Sequence, residues 1–181
     1  ESYRTDPLAL AAQAPWKRGI VVCAAAGNDG PESRTIATPG THPDIITVGA
    51  SDSRGSVDSW DDTVAPFSSR GPTIDNIDKP DLVAPGVSIT STAAKKSVLS
   101  LLQGRKRSEY ITLSGTSMAT PIVSGIVALM LQADPTLDPD AVKSRLVATA
   151  DSLGFAPNSQ GSGLVNAQRA VEPLQPGNGR S

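Results

Sequence analysis

Leu113-Ser114-Gly115-Thr116-Ser117-Met118-Ala119-Thr120-Pro121 joins the end of an extended stretch to a long apolar segment. Read as a strand, a turn and a helix start, it puts Ser117 at a helix N-terminus. Unpaired backbone N–H groups and the positive end of the helix dipole collect there. An oxyanion beside that serine would be stabilised without any side-chain charge. Gly115 allows the tight turn that leaves the hydroxyl exposed. An isolated Gly-x-Ser would read as no more than a serine near a helix cap, so the whole string has to be weighed with its surroundings.

Downstream, Thr116 to Leu131 is apolar on nearly every side, which predicts a central, buried helix. Gly125 inside it costs about 1 kcal/mol of helix propensity against alanine, so close approach of a neighbouring element is expected there. Asp138-Pro139 caps a further helix over Asp140 to Ala150, and Leu164 to Val171 reads as a last short one. Upstream, Ile20 to Ala26 and Ile45 to Ala50 are short apolar runs of the kind buried on both faces of a parallel sheet. Leu82 to Ala84 and Val87 to Thr90 add extended pieces around Pro85-Gly86. Thr5-Asp6-Pro7 offers a cap for a helix from Leu8 to Trp16, stopping near Gly19. Ser51 to Pro80 is a polar excursion with a short run at Val64 to Ser68, and Lys95 to Arg107 is a basic surface insertion with a short helix. The alternation of helices and buried strands predicts an α/β fold, doubly wound, with a mainly parallel sheet and helices on both faces. One domain is expected over 1–172, with 173–181 a disordered tail.

The 181 residues carry 16 Lys and Arg against 18 Asp and Glu, a net charge of -2. No long-range field favours nucleic acid or an anionic membrane. Apolar stretches are read as too short for a membrane span. The single cysteine, Cys23, excludes an internal disulfide and sits in an apolar run as a small hydrophobe. The chain begins at Glu1 rather than Met, as a processed product would, and a missing upstream part is expected.

Three further strings agree with the first. They are Ala24-Ala25-Ala26-Gly27-Asn28-Asp29-Gly30-Pro31, Phe67-Ser68-Ser69-Arg70-Gly71-Pro72, and Lys79-Pro80-Asp81-Leu82-Val83-Ala84-Pro85-Gly86. Together with Gly115 to Pro121 they resemble the subtilase family of serine endopeptidases in order and approximate spacing, from Thr5 to about Val171. The resemblance is nearest to bacterial members and favours an extracellular over a cytoplasmic setting. It implies that Ser117 is the nucleophile, that Asn28 and the Ser117 N–H form the oxyanion hole, and that Thr116 supports them. It also implies that Ala24, Ala25, Ala26 and Gly27, with Thr38, Pro39 and Gly40, wall the pocket for the residue before the scissile bond. The substrate would be polypeptide. No cofactor is required, although the turn from Gly40 to Ile45 resembles one that lends carbonyls to a calcium or monovalent cation in some relatives.

A serine hydroxyl needs a base, and the base needs an orienting group. The only histidine, His42, lies in a Pro-Gly-Thr-His-Pro turn and reads as a loop residue. In the resembled family the aspartate and histidine precede the asparagine, which places them on an upstream segment before Glu1. Asp61-Asp62 reads as a solvated pair in a polar loop rather than an acid–base couple. Two other readings stay open. A catalytically silent domain of this fold would bind peptide or protein. An esterase would need the Gly-x-Ser-x-Gly elbow that is absent here.

Overall fold

The computed structural model describes residues 1–94, 97–99 and 109–172. Helix α1 (Pro7–Trp16) starts where Asp6 Oδ1 accepts the N–H groups of Leu8 (2.8 Å) and Ala9 (3.0 Å), with proline in the first turn. That satisfies two of the N–H groups a helix start leaves unpaired, and Pro7 has none to satisfy. Strand β1 (Cys23–Ala25) is shorter than the apolar run predicted, because Ile20 is exposed and the chain enters the sheet only at Cys23. Strand β2 (Ile46–Asp52) is the centre of the sheet. It pairs in parallel with β1, Cys23 opposite Ile46, and in parallel with β4 (Leu82–Pro85), Val48 opposite Leu82. The two-residue β3 (Thr63–Val64) adds the one antiparallel partner recorded for β2. A six-residue buried run within β2 fits a strand covered on both faces.

The extended pieces after β4 do not join this sheet. Strand β5 (Ile89–Thr92) pairs antiparallel with β6 (Tyr110–Leu113) in a separate two-stranded ribbon, and most of β5 is exposed. The expected insertion between them falls mostly outside the described residues; of its described part, Val98 and Leu99 are exposed. The tail 173–181 lies outside them too.

Helix α2 (Thr116–Ala133) packs across β1, β2 and β4. Ala119, Val123, Ile126, Val127 and Met130 enter the core with Ile46, Val48, Ala50, Leu82 and Ala84. Each fully buried aliphatic side chain there contributes about 1.5–3 kcal/mol. The helix is not buried all round: Pro121, Ser124, Gly125, Ala128 and Leu129 are exposed. A Cβ at Gly125 would meet nothing within 4 Å, so the close approach expected there is absent among the described residues. By length and composition this 18-residue helix is apolar enough to cross a membrane, contrary to the sequence reading. Its packing on three strands gives it the role of a core helix.

Helices α3 (Pro139–Thr149) and α5 (Ala167–Val171) complete this layer, with the short α4 (Pro157–Gln160) between them. Asp138 caps α3 through the Ala141 N–H at 2.8 Å. Leu164, predicted helical, instead bridges to Val83 and Asp151, and α5 begins only after Asn166 caps it. The result is an α/β fold with a mainly parallel sheet, as expected.

Candidate active site

Ser117 is the second residue of α2 and is exposed, its hydroxyl free of hydrogen bonds among the described residues. The turn before it uses Gly115 at φ +155°, and the Gly115 N–H donates to Gly86 O at 2.8 Å. Gly86 can lie there because it has no side chain: a Cβ would stand 2.6 Å from that of Ala50. The end of β4 thereby anchors the start of α2.

The end of β1 meets the same helix through Thr116. Its N–H and its Oγ1 both donate to Asn28 Oδ1, at 2.9 and 3.0 Å, while Oγ1 accepts the Gly27 N–H at 3.2 Å. Two donors on one amide oxygen decide which end of Asn28 is which. Nδ2 is then the free end, with no hydrogen-bond partner among the described residues. It stands beside the turn, 3.4 Å from where a Gly115 Cβ would be. Gly27 turns here with φ +108°, and a Cβ on it would crowd Ser69 Oγ at 2.8 Å. The Thr116 N–H is taken by Asn28 and those of Met118 and Ala119 by Gly115 O. Among the described residues the Ser117 N–H is therefore the one left unpaired in the first helical turn, and it and Asn28 Nδ2 lie by the turn that carries the exposed hydroxyl. An apolar groove lined by Ile89, Ile111, Leu113, Met118, Pro121 and Ile122 runs alongside.

The stretches expected to wall a pocket adjoin one another. A Cβ on Gly40 would come within 3.0 Å of Ala25 O, and the Ala37 N–H donates to Ala26 O. Ala24, Ala26 and Gly40 are buried, Ala25, Gly27 and Pro39 are half-buried, and Thr38 is exposed.

His42 is a loop residue, yet one that is 1% exposed. Its Nδ1 accepts the Asp44 N–H at 3.2 Å, and Tyr3 packs edge-on at 5.0 Å between ring centres. Burial pushes its pKa below the ordinary value, against the pull of Asp44. None of these contacts involves Ser117. Asp62 departs from the solvated pair expected: it is buried, and burial together with Asp61 and Asp52 raises its carboxyl.

Sequence reading missed a charged cluster beneath β2. Lys79 is fully buried, its Nζ donating to Ile45 O (2.9 Å) and Asp81 Oδ2 (2.7 Å). Lys143 from α3 reaches the carbonyls of Pro43, Asp44 and Ile45 and Asp81 Oδ1. A signal was present: residues two apart in an extended segment share a face, so Lys79-Pro80-Asp81 presents an ion pair on one side. Within the turn expected to lend carbonyls to a cation, those of Pro43, Asp44 and Ile45 meet lysine ammonium groups. Among the described residues no group of three or more His, Cys, Asp or Glu could hold a metal.

The sequences and folds of known proteins bear on this geometry. The chain is 52% identical over 169 residues to the serine protease AprX of Bacillus subtilis, covering 92% of this chain and 38% of AprX. It is 37% identical over 164 residues to Subtilisin BL of Lederbergia lenta, covering 91% of this chain and 51% of that protein. The chain therefore spans about half or less of the curated relatives it matches. Its fold resembles that of the prenylagaramide maturation protease PagA (TM-score 0.68, 29% identity), covering 90% of this chain and 53% of PagA. Fervidolysin from Fervidobacterium pennivorans, a keratinolytic enzyme related to subtilisin, is also similar (TM-score 0.67, 29% identity), with 89% and 24% covered. With the subtilase family matching residues 2–170, nearly the whole described chain, and Ser117, Thr116 and Asn28 meeting at one helix start, the chain belongs to the subtilase family.

Proposed function

We propose that this chain carries the nucleophile and oxyanion hole of a serine endopeptidase, with Ser117 attacking the peptide carbonyl to form an acyl-enzyme. The observation that carries the reading is the amide of Asn28. Its Oδ1 is held by two donors from Thr116 and its Nδ2 has no partner among the described residues, beside the turn that delivers Ser117. Nδ2 and the Ser117 N–H are the donors for the carbonyl oxygen as it gains negative charge, a contribution larger in the transition state than in the ground state.

The general base is a histidine, oriented by an aspartate, on a segment outside this chain, since His42 is committed to Tyr3 and Asp44. The Ser117 proton passes to that histidine and from it to the leaving amine. Polypeptide is the substrate, and Ala24, Ala25, Ala26 and Gly27, with Thr38, Pro39 and Gly40, wall the pocket for the residue before the scissile bond. The protein acts outside the cell. Ser117 requires no cofactor for this chemistry.

The test is hydrolysis of a chromogenic peptide by the chain joined to the segment bearing histidine and aspartate. Turnover that Ser117→Ala abolishes is expected. Peptide binding without turnover would favour the silent peptide-binding reading.

A further inference from the structure

The Nζ of Lys143 lies among four oxygens: Pro43 O at 2.6 Å, Ile45 O at 3.0 Å, Asp44 O at 3.1 Å and Asp81 Oδ1 at 3.1 Å. An ammonium has three N–H donors, so four oxygens at this range exceed its directed hydrogen bonds, and they gather about the charge as ligands do about a cation. Rings of backbone carbonyls are how proteins hold potassium, and an ammonium ion is nearly the same size. Beside it, Lys79 Nζ shares Ile45 O (2.9 Å) and takes the other Asp81 oxygen (2.7 Å). Burial pulls the Lys79 ammonium down to about 8, against Asp81, so it is still charged at neutral pH. Two ammonium groups and one carboxylate leave one net positive charge facing three carbonyls. A buried charge without such partners would be costly.

The cluster is wired to the pocket border. Asp81 Oδ2 also accepts the Thr47 N–H at 2.6 Å, and Thr47 Oγ1 donates to Gly40 O at 2.7 Å. Gly40 in turn lies against Ala25 O.

We propose that Lys143 and Lys79 act as a cation built into the chain, closing the turn 43–45 in place of a metal ion and positioning Gly40 at the pocket border through Asp81 and Thr47. The positioning half rests on the proposed function; the cation half does not. Lys143 is the variant to make, because its side chain is 19% exposed and comes from α3, so Lys143→Ala leaves the turn intact and an opening to solvent.

Thermal unfolding is measured in choline, sodium, potassium and calcium chloride at equal ionic strength. The parent should melt at one temperature in all four. Lys143→Ala should melt about 5 °C lower in choline and recover at least half of that in potassium or sodium. Selective stabilisation of the parent by a metal ion, or a variant that recovers in none of them, would overturn the cation half. If Lys143→Ala does not fold, Lys143→Gln is taken through the same four salts under the same criterion. For the positioning half, the joined, active protein carrying Lys143→Ala should show KM raised about fivefold in choline with kcat nearly kept, and potassium should restore it. An unchanged KM would overturn that half. A parent with no peptidase activity would count against the proposed function, and the unfolding series would still decide the cation.

Discussion

Among the described residues the Asn28 amide oxygen is satisfied twice and its amide nitrogen not at all, which leaves that nitrogen to donate to an acceptor from outside the chain. Asn28→Leu keeps the volume and removes the donor. In the active protein, kcat should fall about 10²–10³-fold with KM nearly unchanged, a magnitude taken over from removal of such a donor in subtilisin rather than derived from this chain. A tenfold rise in KM with kcat intact would make Asn28 a substrate-binding residue instead. Thr116→Val removes the hydroxyl that joins Gly27 to Asn28 but leaves the Thr116 N–H in place. Two hydrogen bonds are lost, from the Gly27 N–H and to Asn28 Oδ1, and only the second holds the amide. At about 1 kcal/mol its loss should lower kcat by roughly fivefold, again with KM kept. His42 gives the pH dependence. Its folded pKa lies below the unfolded value of 6.5, so below pH 6.5 the unfolded chain binds a proton that the folded chain refuses. Stability is fully present above about 6.5 and is lost as pH falls through the folded pKa. Urea midpoints measured from pH 7.5 downward should show this loss, and His42→Asn should flatten it.

Among the elements, α2 has the most informative surface. Gly125 lies in the helix interior, exposed, with open space where a methyl group would project, so Gly125→Ala should stabilise the chain by about 0.5–1 kcal/mol. In the protein joined to the histidine- and aspartate-bearing segment the same change should lose that gain if the segment covers this face; calorimetry of both forms decides it. Much of the element order was legible in the sequence. Asp6 and Asp138 announced two helix starts, and the buried run at β2 announced the central strand. The legible part of the site was equally local, since Ser117, Thr116 and Asn28 are marked by the strings that hold them. The misses were non-local. An all-round apolar α2 looks buried from its composition, whereas its exposed side depends on what packs there. The run Val87 to Thr90 read as a piece of the sheet because an extended run does not state its partner, which for β5 is β6. Lys79 reads as surface charge until Ile45 O, Asp81 and Lys143 are seen around it.

At the scale of the whole molecule, apolar side chains remain exposed at Leu8 and Ile20, on the ribbon at Tyr110, and at Leu129 on α2. Exposed apolar surface and open strand edges favour association. Sedimentation velocity should show the chain self-associating as concentration rises, and a monodisperse monomer at all concentrations would contradict this. The central claim is that Ser117 is a nucleophile whose base lies on another segment. The direct measurement is the rate at which a fluorophosphonate probe labels Ser117. In the chain alone, labelling should be negligible, because no base accepts the hydroxyl proton. In the chain joined to the histidine- and aspartate-bearing segment it should be rapid, stoichiometric and abolished by Ser117→Ala. Rapid stoichiometric labelling of Ser117 in the chain alone, or no labelling of it in the joined protein, would contradict the account.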